Sequence, residues 1–250
     1  MIKKSRILNL EICKITQKEL LEQLNDGVLF TPNVDHLVKL QKDKDFWEVY
    51  NKAEWVVCDS KVLYLSMKLI GRRIPEPIPG SSFFKSFYLH HKDDPDCKIF
   101  LLGSMDGVAD EAKARINASV GRDIVVGAYS PSYGFELKEE ENKEIYKLIN
   151  ESGANVVVVG VGAPKQEKWI MKHKTQIPGV KLWMGLGATI DFEAGKTKRA
   201  PLFFQKFALE WFYRMCQEPK RMFKRYMWDD PIFFWYLLKD YFGIYKSPFV

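Results

Sequence analysis

Asp59 follows the apolar run Trp55-Val-Val-Cys58 and is followed by Ser60. A carboxylate at the end of a buried strand is half shielded from water. Partial desolvation raises its pKa toward neutrality, which suits a general base. The same place also suits a cap on the helix that Ser60 begins, and position alone favours the cap. Lys165-Gln166-Glu167 follows Pro164 at a helix start. Lys165 and Gln166 can meet a phosphate or a sugar hydroxyl there, or remain solvated first-turn residues. Arg214, Arg221 and Arg225 would lie within about 40° of one another on one continuous helix. Pro219 interrupts that helix and biases Glu218 away from the helical region. The expectation is one helix to about Gln217 and another from Pro219, with Arg221 and Arg225 sharing a face at i, i+4.

Several common chemistries lose support from spacing. Gly160-Val-Gly162 follows a run of valines, but the third glycine of a dinucleotide fingerprint would fall at Lys165. No GxxxxGK[ST] occurs, and Gly195-Lys196-Thr197 lacks the glycine-rich run before it. Hydride transfer and nucleotide hydrolysis are therefore disfavoured. Asp43-Lys-Asp45 and Asp94-Pro-Asp96 have the acidic spacing that holds a divalent ion, but the first lies late in a charged helical stretch and the second precedes a strand. The four histidines form no HExxH, and Cys13, Cys58, Cys97 and Cys216 lack paired spacing. No metal and no cofactor is expected, and the cysteines read as reduced and mostly structural.

The elements that would hold these residues alternate. Strands are expected at Arg6–Leu10, Val28–Thr31, Trp55–Cys58, Lys98–Leu102, Ile124–Ala128, Asn155–Gly160 and Lys181–Met184. Helices are expected at Thr16–Asn25, Val34–Lys42, Ser60–Ile70, Gly107–Val120, Lys138–Glu151 and Lys165–His173, the first with a capping box formed by Thr16 and Glu19. Short β-branched runs alternating with amphipathic helices predict an α/β fold, a mostly parallel sheet flanked by helices. Ligands of such sheets collect beyond the carboxyl ends of the strands. The loops there run through Thr31, Asn33 and Asp35, Asp59, Gly103 to Gly107, Gly160 to Glu167, and Gly185 to Asp191. Small and polar residues at helix starts bind anions through backbone amides, so these loops fit a phosphorylated, nucleotide-bearing ligand.

The chain has 250 residues, 46% apolar and 28% charged, with net charge +6, which excludes disorder, collagen and coiled coil. No run approaches the roughly 18 apolar residues of a spanning helix. The opening MIKKSRILNLEICKI places Glu11 and Lys14 where a secretion signal would need an apolar segment, so a cytoplasmic location is expected. Residues 203–250 carry eight Lys/Arg against five Asp/Glu and hold 17 of the 35 aromatic residues. That shift places a boundary near Pro201, between a core at 1–201 and a basic, aromatic helical appendage at 202–250. Such an appendage suits an anionic membrane interface or single-stranded nucleic acid, or simply packs on the core.

Five pieces in order, TPNVDHL, VVCDS, GVGAPKQEKWI, GLGATIDFEAGKTKRAP and LEWFYRMCQEPKRMFKRY, resemble the WecG/TagA/CpsF glycosyltransferase family over roughly residues 6 to 226. The resemblance implies a Rossmann-like core with a C-terminal membrane-binding appendage, and an inverting, metal-independent enzyme of bacterial cell-surface polysaccharide or teichoic acid synthesis. A hexose, N-acetylmannosamine or a related sugar, would move from a UDP-sugar to a polyprenyl-diphosphate-linked saccharide. It implies Asp59 as base, Thr31 and Asn33 in the sugar pocket and Gln166 on the sugars. Arg214, Arg221 and Arg225 would neutralise diphosphate, with Arg199 a weaker candidate. Gly103, Gly162, Lys165 and Asp191 join the expected substrate loops. Residues 203–250 would meet the inner face of the cell membrane or pack between copies in a homo-oligomer; no nucleic-acid partner is expected. The chain departs from the family in reading Asp59-Ser60 where Asp-Gly is frequent, and in lacking an arginine just before Gly80. The rival reading is a non-enzymatic binder of RNA or anionic lipid on an α/β scaffold.

Overall fold

The computed structural model describes residues 2–197, 200–201, 203–204, 209–217, 219, 223 and 225–249, with the backbone alone at Arg214. They form two compact units. Met1–Thr16, Thr31–Pro79 and Arg199–Val250 make the first; Gln17–Phe30 and Gly80–Lys198 make the second. In chain order the strands are β1 (Lys4–Ile7), β2 (Leu10–Cys13), β3 (Gly27–Phe30), β4 (Trp55–Val56), β5 (Ile99–Gly103), β6 (Val125–Tyr129), β7 (Val156–Gly160) and β8 (Leu182–Gly185). The helices begin with α1 (Gln17–Gln23), α2 (Val34–Lys39), α3 (Lys44–Asn51), α4 (Lys61–Leu69) and α5 (Gly80–His90). They continue with α6 (Val108–Val120), α7 (Glu139–Ser152), α8 (Lys165–His173) and α9 (Thr189–Glu193).

The second unit is the expected α/β layer structure. Five strands run parallel in the order β3-β8-β7-β5-β6. β7 lies in the middle, and Val156 to Val159 are all buried, as a strand covered on both faces requires. Burial of each such side chain stabilises by about 1.5–3 kcal/mol. Helices α6, α7 and α8 pack on the sheet and α9 packs on α5 and α6. Register brings the strand ends level, with Gly103 opposite Gly160, Val159 opposite Gly185, and Phe30 opposite Gly185. α6 and α7 each stop at a glycine in the left-handed region, Gly121 at φ 78° and Gly153 at φ 67°, where an L side chain would be strained.

The first unit departs from expectation at its start. Arg6–Leu10 is not one strand: β1 and β2 form an antiparallel hairpin with Leu8 and Asn9 in its turn. Leu8 sits at φ 51°, fully buried, and its amide donates to Asp240 Oδ2 at 2.9 Å. Asn9 donates to Leu40 O and accepts from Gln41. Distant partners hold a turn that the local sequence does not announce. α2 and α4 are capped by Asn33 and Ser60, whose side chains accept from the amides of His36 and Leu63. Helices α3, α5 and α9 were not expected.

Toward the C-terminus a helix spans Glu210–Gln217, a π-helical turn spans Arg225–Asp229, and a terminal helix spans Ile232–Tyr241. The first is described as far as Gln217, and the residue after it lies outside the described ones; the second helix expected from Pro219 falls largely outside the described residues, and Arg225 lies in π-helical backbone. Phe233, Leu237 and Asp240, at i, i+4 and i+7, form the buried face of the terminal helix. Asp240 accepts from both Nη atoms of Arg72, at 2.8 Å from Nη2. Phe234, Trp235, Leu238, Tyr241 and Phe242 are exposed. Among the described residues no helix is long and apolar enough to cross a membrane.

Candidate active site

In the first unit, the loops after β3 and β4 meet. The Asp59 amide donates to Pro32 O at 3.0 Å, which sets Asp59 beside the segment holding Thr31 and Asn33. Thr31 is buried and Asp59 half-buried. The cap of α4 is Ser60, whose Oγ accepts from Leu63 N at 3.2 Å. The residue after the carboxylate, not the carboxylate, performs the capping that position alone assigned to Asp59. Asn33 Oδ1 accepts from His36 N at 3.4 Å and from Arg225 Nη2 at 3.3 Å.

Arg225 therefore stands against the same loop, and two carboxylates share its charge. Its Nε lies 3.5 Å from Asp230 Oδ2 and 3.8 Å from Asp35 Oδ1, within ion-pair reach, and makes no hydrogen bond. Its Cζ lies 5.3 Å from the Tyr226 ring centroid. Asp35 also binds Lys39 Nζ at 2.7 Å. Burial works to raise the Asp35 pKa, but the positive charges of Arg225 and Lys39 outweigh it and hold the carboxyl below its ordinary range. Asp230 goes the other way. Burial pushes its pKa up to about 6, Asp35 adds to the rise, and Arg225 offsets only part. His36 is fully enclosed, accepts or donates at Tyr50 Oη 3.1 Å away, and is driven by burial down to about 3, so it stays neutral.

In the second unit, glycines let three strand ends approach one another. A Cβ on Gly103 would meet the Gly160 carbonyl at 2.6 Å, and a Cβ on Gly160 would meet Gly187 O at 2.6 Å. Gln166 is buried, and its Oε1 accepts from Gly162 N at 3.2 Å and Gly187 N at 3.1 Å while Nε2 donates to Glu167 at 2.9 Å. One amide thus ties together the loops that follow β7 and β8. Ser104 holds φ 66°, unusual for a side-chain-bearing residue, and its Oγ donates to Asp191 Oδ1 at 2.6 Å. Lys165 Nζ lies 2.8 Å from Glu136 Oε1 and 4.7 Å from the Tyr133 ring centroid. The hydrogen bond to Glu136 raises the Lys165 pKa.

The first unit thus holds a half-buried carboxylate whose amide is tied to the loop that meets Arg225, and a carboxylate at a strand end suits proton abstraction from an alcohol. Residues 5–247 match the Glycosyl transferase WecG/TagA/CpsF family, nearly the whole of the 250-residue chain. The chain belongs to that family. As a WecG/TagA/CpsF glycosyltransferase it takes a sugar donor and an acceptor in cell-surface polysaccharide synthesis.

Within this glycosyltransferase the first unit gathers Thr31, Asn33, Asp59 and Arg225, and the second gathers Gly103, Gly162, Lys165, Gln166 and Asp191. Arg214 lies in the helix Glu210–Gln217 with its side chain outside the description, and Arg199 and Arg221 lie outside the described residues. Two acids with metal-type spacing have local duties: Asp43 caps α3 by accepting from Phe46 N at 3.0 Å, and Asp94 accepts from Asp96 N at 3.0 Å and pairs with His91. The sequence singles out neither Asp230 nor Glu136, and it gives Asp35 and Ser104 no contacts of their own. Asp35 and Ser104 lay inside loops flagged as ligand-facing. Asp230 before Pro231 reads as an ordinary helix start, and nothing local marks Glu136.

Proposed function

We propose that this glycosyltransferase inverts the anomeric carbon of a UDP-hexose or UDP-N-acetylhexosamine, N-acetylmannosamine being the favoured sugar, by attack of a polyprenyl-diphosphate-linked saccharide. An alcohol is a poor nucleophile and the departing nucleoside diphosphate gathers charge, so one group must take a proton and others must meet the anion. Asp59 takes the proton. Thr31 and Asn33 line the sugar pocket beside it. Arg214, Arg221 and Arg225 meet the diphosphate as charge-assisted donors, replacing a metal ion. Gly103, Gly162, Lys165, Gln166, Asp191 and Arg199 belong to the substrate loops, with Gln166 and Ser104 fixing their shape.

The observation that carries this reading is the run of contacts from Asp59 through Pro32 and Asn33 to Arg225. Those contacts support reading Asp59 as the base, the Thr31–Asn33 loop as the sugar contact and Arg225 as the phosphate ligand. The exposed aromatic face of the terminal helix, with Lys239 Nζ 5.2 Å from the Trp235 ring centroid, supports binding of residues 202–250 to the inner face of the membrane, where amphipathic rings settle at headgroup level. The same face suits contact between copies away from lipid.

The test is a panel of UDP-N-acetylmannosamine, UDP-N-acetylglucosamine, UDP-glucose and the uronic acid of the first, each with a short-chain polyprenyl-diphosphate-linked sugar. Product mass and anomeric configuration are read with and without EDTA. Transfer with inversion that survives EDTA is expected. Retention of configuration, or abolition by the chelator, would overturn the base and arginine assignments.

A further inference from the structure

Among the described residues, the groups within ion-pair reach of Arg225 leave it no positive charge to spare for an anion. Arg225 and Lys39 supply two positive charges, and Asp35 and Asp230 two negative ones, within one partly buried cluster. A diphosphate at the guanidinium adds at least two negative charges. A resident carboxylate that takes up a proton offsets part of that charge, and the geometry identifies which.

Arginine does not lose its proton in proteins. Asp35 is held by Lys39 at 2.7 Å as well as by Arg225. His36, on the same helix as Asp35, is enclosed and neutral, so it offers no counter-charge. Asp229, on the same turn, adds negative charge near Asp230. Asp230 is 9% exposed, has no lysine partner among the described residues, and leaves its buried Oδ1 without a hydrogen-bond partner there. Its tie to Arg225 is the 3.5 Å approach of Oδ2 to Nε. A carboxylate in that position is the first to give way when a like charge arrives.

We propose that Arg225, Asp35 and Asp230 form a charge-exchange latch, in which the two carboxylates neutralise the guanidinium until a diphosphate binds it and Asp230 then takes up a proton from solvent. The inference rests on the reading that Arg225 is a diphosphate ligand. The proton moves from solvent water or buffer to one Asp230 oxygen, giving a neutral carboxylic acid, while Lys39 keeps Asp35 ionised and oriented. Asp230 already lies closer to protonation than an ordinary carboxylate, so the exchange needs a modest further rise in its pKa. Binding is then tighter at lower pH, and Asp230→Asn removes that dependence because asparagine presents the neutral state at every pH.

The experiment titrates the full chain with inorganic pyrophosphate by calorimetry, between pH 5.5 and 8, in buffers of different ionisation enthalpy. Wild type, Asp230→Asn, Asp35→Asn and Arg225→Ala are compared. Taking the difference between wild type and Asp230→Asn cancels protons carried by pyrophosphate itself. The expected result is extra proton uptake by wild type, up to one per site. The corrected affinity should gain up to about tenfold per pH unit between about 7.5 and 6. Asp35→Asn should move the wild-type profile to lower pH, since Asp35 raises the Asp230 pKa. Equal proton counts and parallel profiles, with Arg225→Ala still weakening binding, overturn the latch and leave the diphosphate reading standing. No binding by wild type, or binding untouched by Arg225→Ala, overturns that reading as well.

Discussion

Replacing Asp230 by asparagine should make the folded protein more stable at neutral pH. The ordinary carboxyl value is 3.8 and the buried group is pushed up to about 6. The folded state therefore holds the Asp230 proton more tightly than the unfolded chain does. Its contribution to stability is greatest below the unfolded value and is lost as pH rises from about 4 to about 6. At roughly 1.4 kcal/mol per unit, a rise of about two units makes ionised Asp230 cost about 3 kcal/mol above pH 6. Asparagine keeps the shape without the charge. Some solvent still reaches the side chain, 12% of it exposed, so about 1–3 kcal/mol is the expected gain at pH 7.5. In a chain of this size that raises Tm by roughly 2–12 °C. Melting curves of both proteins, by circular dichroism at pH 4, 5, 6 and 7.5, should converge toward pH 4. An offset that is independent of pH, or a variant less stable than wild type at pH 7.5, would refute the argument that buried Asp230 is held ionised against its preference.

Gly160→Ala places a Cβ 2.6 Å from Gly187 O and should cost about 1–3 kcal/mol in denaturant unfolding, whereas Gly179→Ala, with open space around it, should be neutral or slightly stabilising. Gln166→Leu strands the Gly162 and Gly187 amides and should cost about 2–4 kcal/mol, with hydrogen exchange at those two amides quickened most. Asp59→Asn should lower turnover about 10²–10⁴-fold with UDP affinity unchanged; equal turnover would leave the base unassigned. Asp240→Asn removes the charge that Arg72 pairs with, at a cost of about 1–3 kcal/mol since the arginine is partly solvated, and should speed exchange of the Leu8 amide; an unchanged Leu8 amide would show that the terminal helix does not depend on this tie.

The sheet was legible because its signals are local. Val156 to Val159 is too apolar and β-branched to be anything but a covered strand, and Gly121 and Gly153 mark helix ends by needing the left-handed region. Asp59 was legible as a carboxylate at a strand end, and Asn33 as a residue at a helix start. What could not be read depends on partners far along the chain. The turn at Leu8 is held by Asp240, 232 residues away, and no propensity places a leucine at φ 51°. Helix α5 begins at Gly80 after a proline-rich stretch, and its packed face of Phe83, Phe84 and Phe87 lacks the alternation with charge that marked the other helices. Lys165, in the first turn of α8, reads from sequence as a phosphate or sugar contact or as a solvated residue, and only the fold puts Glu136 against it at 2.8 Å.

Asp230 also shows why a stability argument and a functional argument can point in opposite directions at one residue. A neutral side chain at position 230 would spare the fold a buried charge, and the aspartate leaves Oδ1 without a partner besides. Arg225 supplies the countervailing need. If that guanidinium were left with Asp35 alone, Lys39 would compete for the same carboxylate at 2.7 Å, and the arginine would carry uncompensated charge into a partly buried place. Asp230 offsets part of that charge while remaining easy to neutralise, because among the described residues it lacks a lysine such as the one that holds Asp35 ionised. A strong partner would stabilise the pair and surrender the arginine reluctantly; a weak one lets an incoming phosphate take it. The 3.5 Å approach without a hydrogen bond is the geometry of the weaker kind.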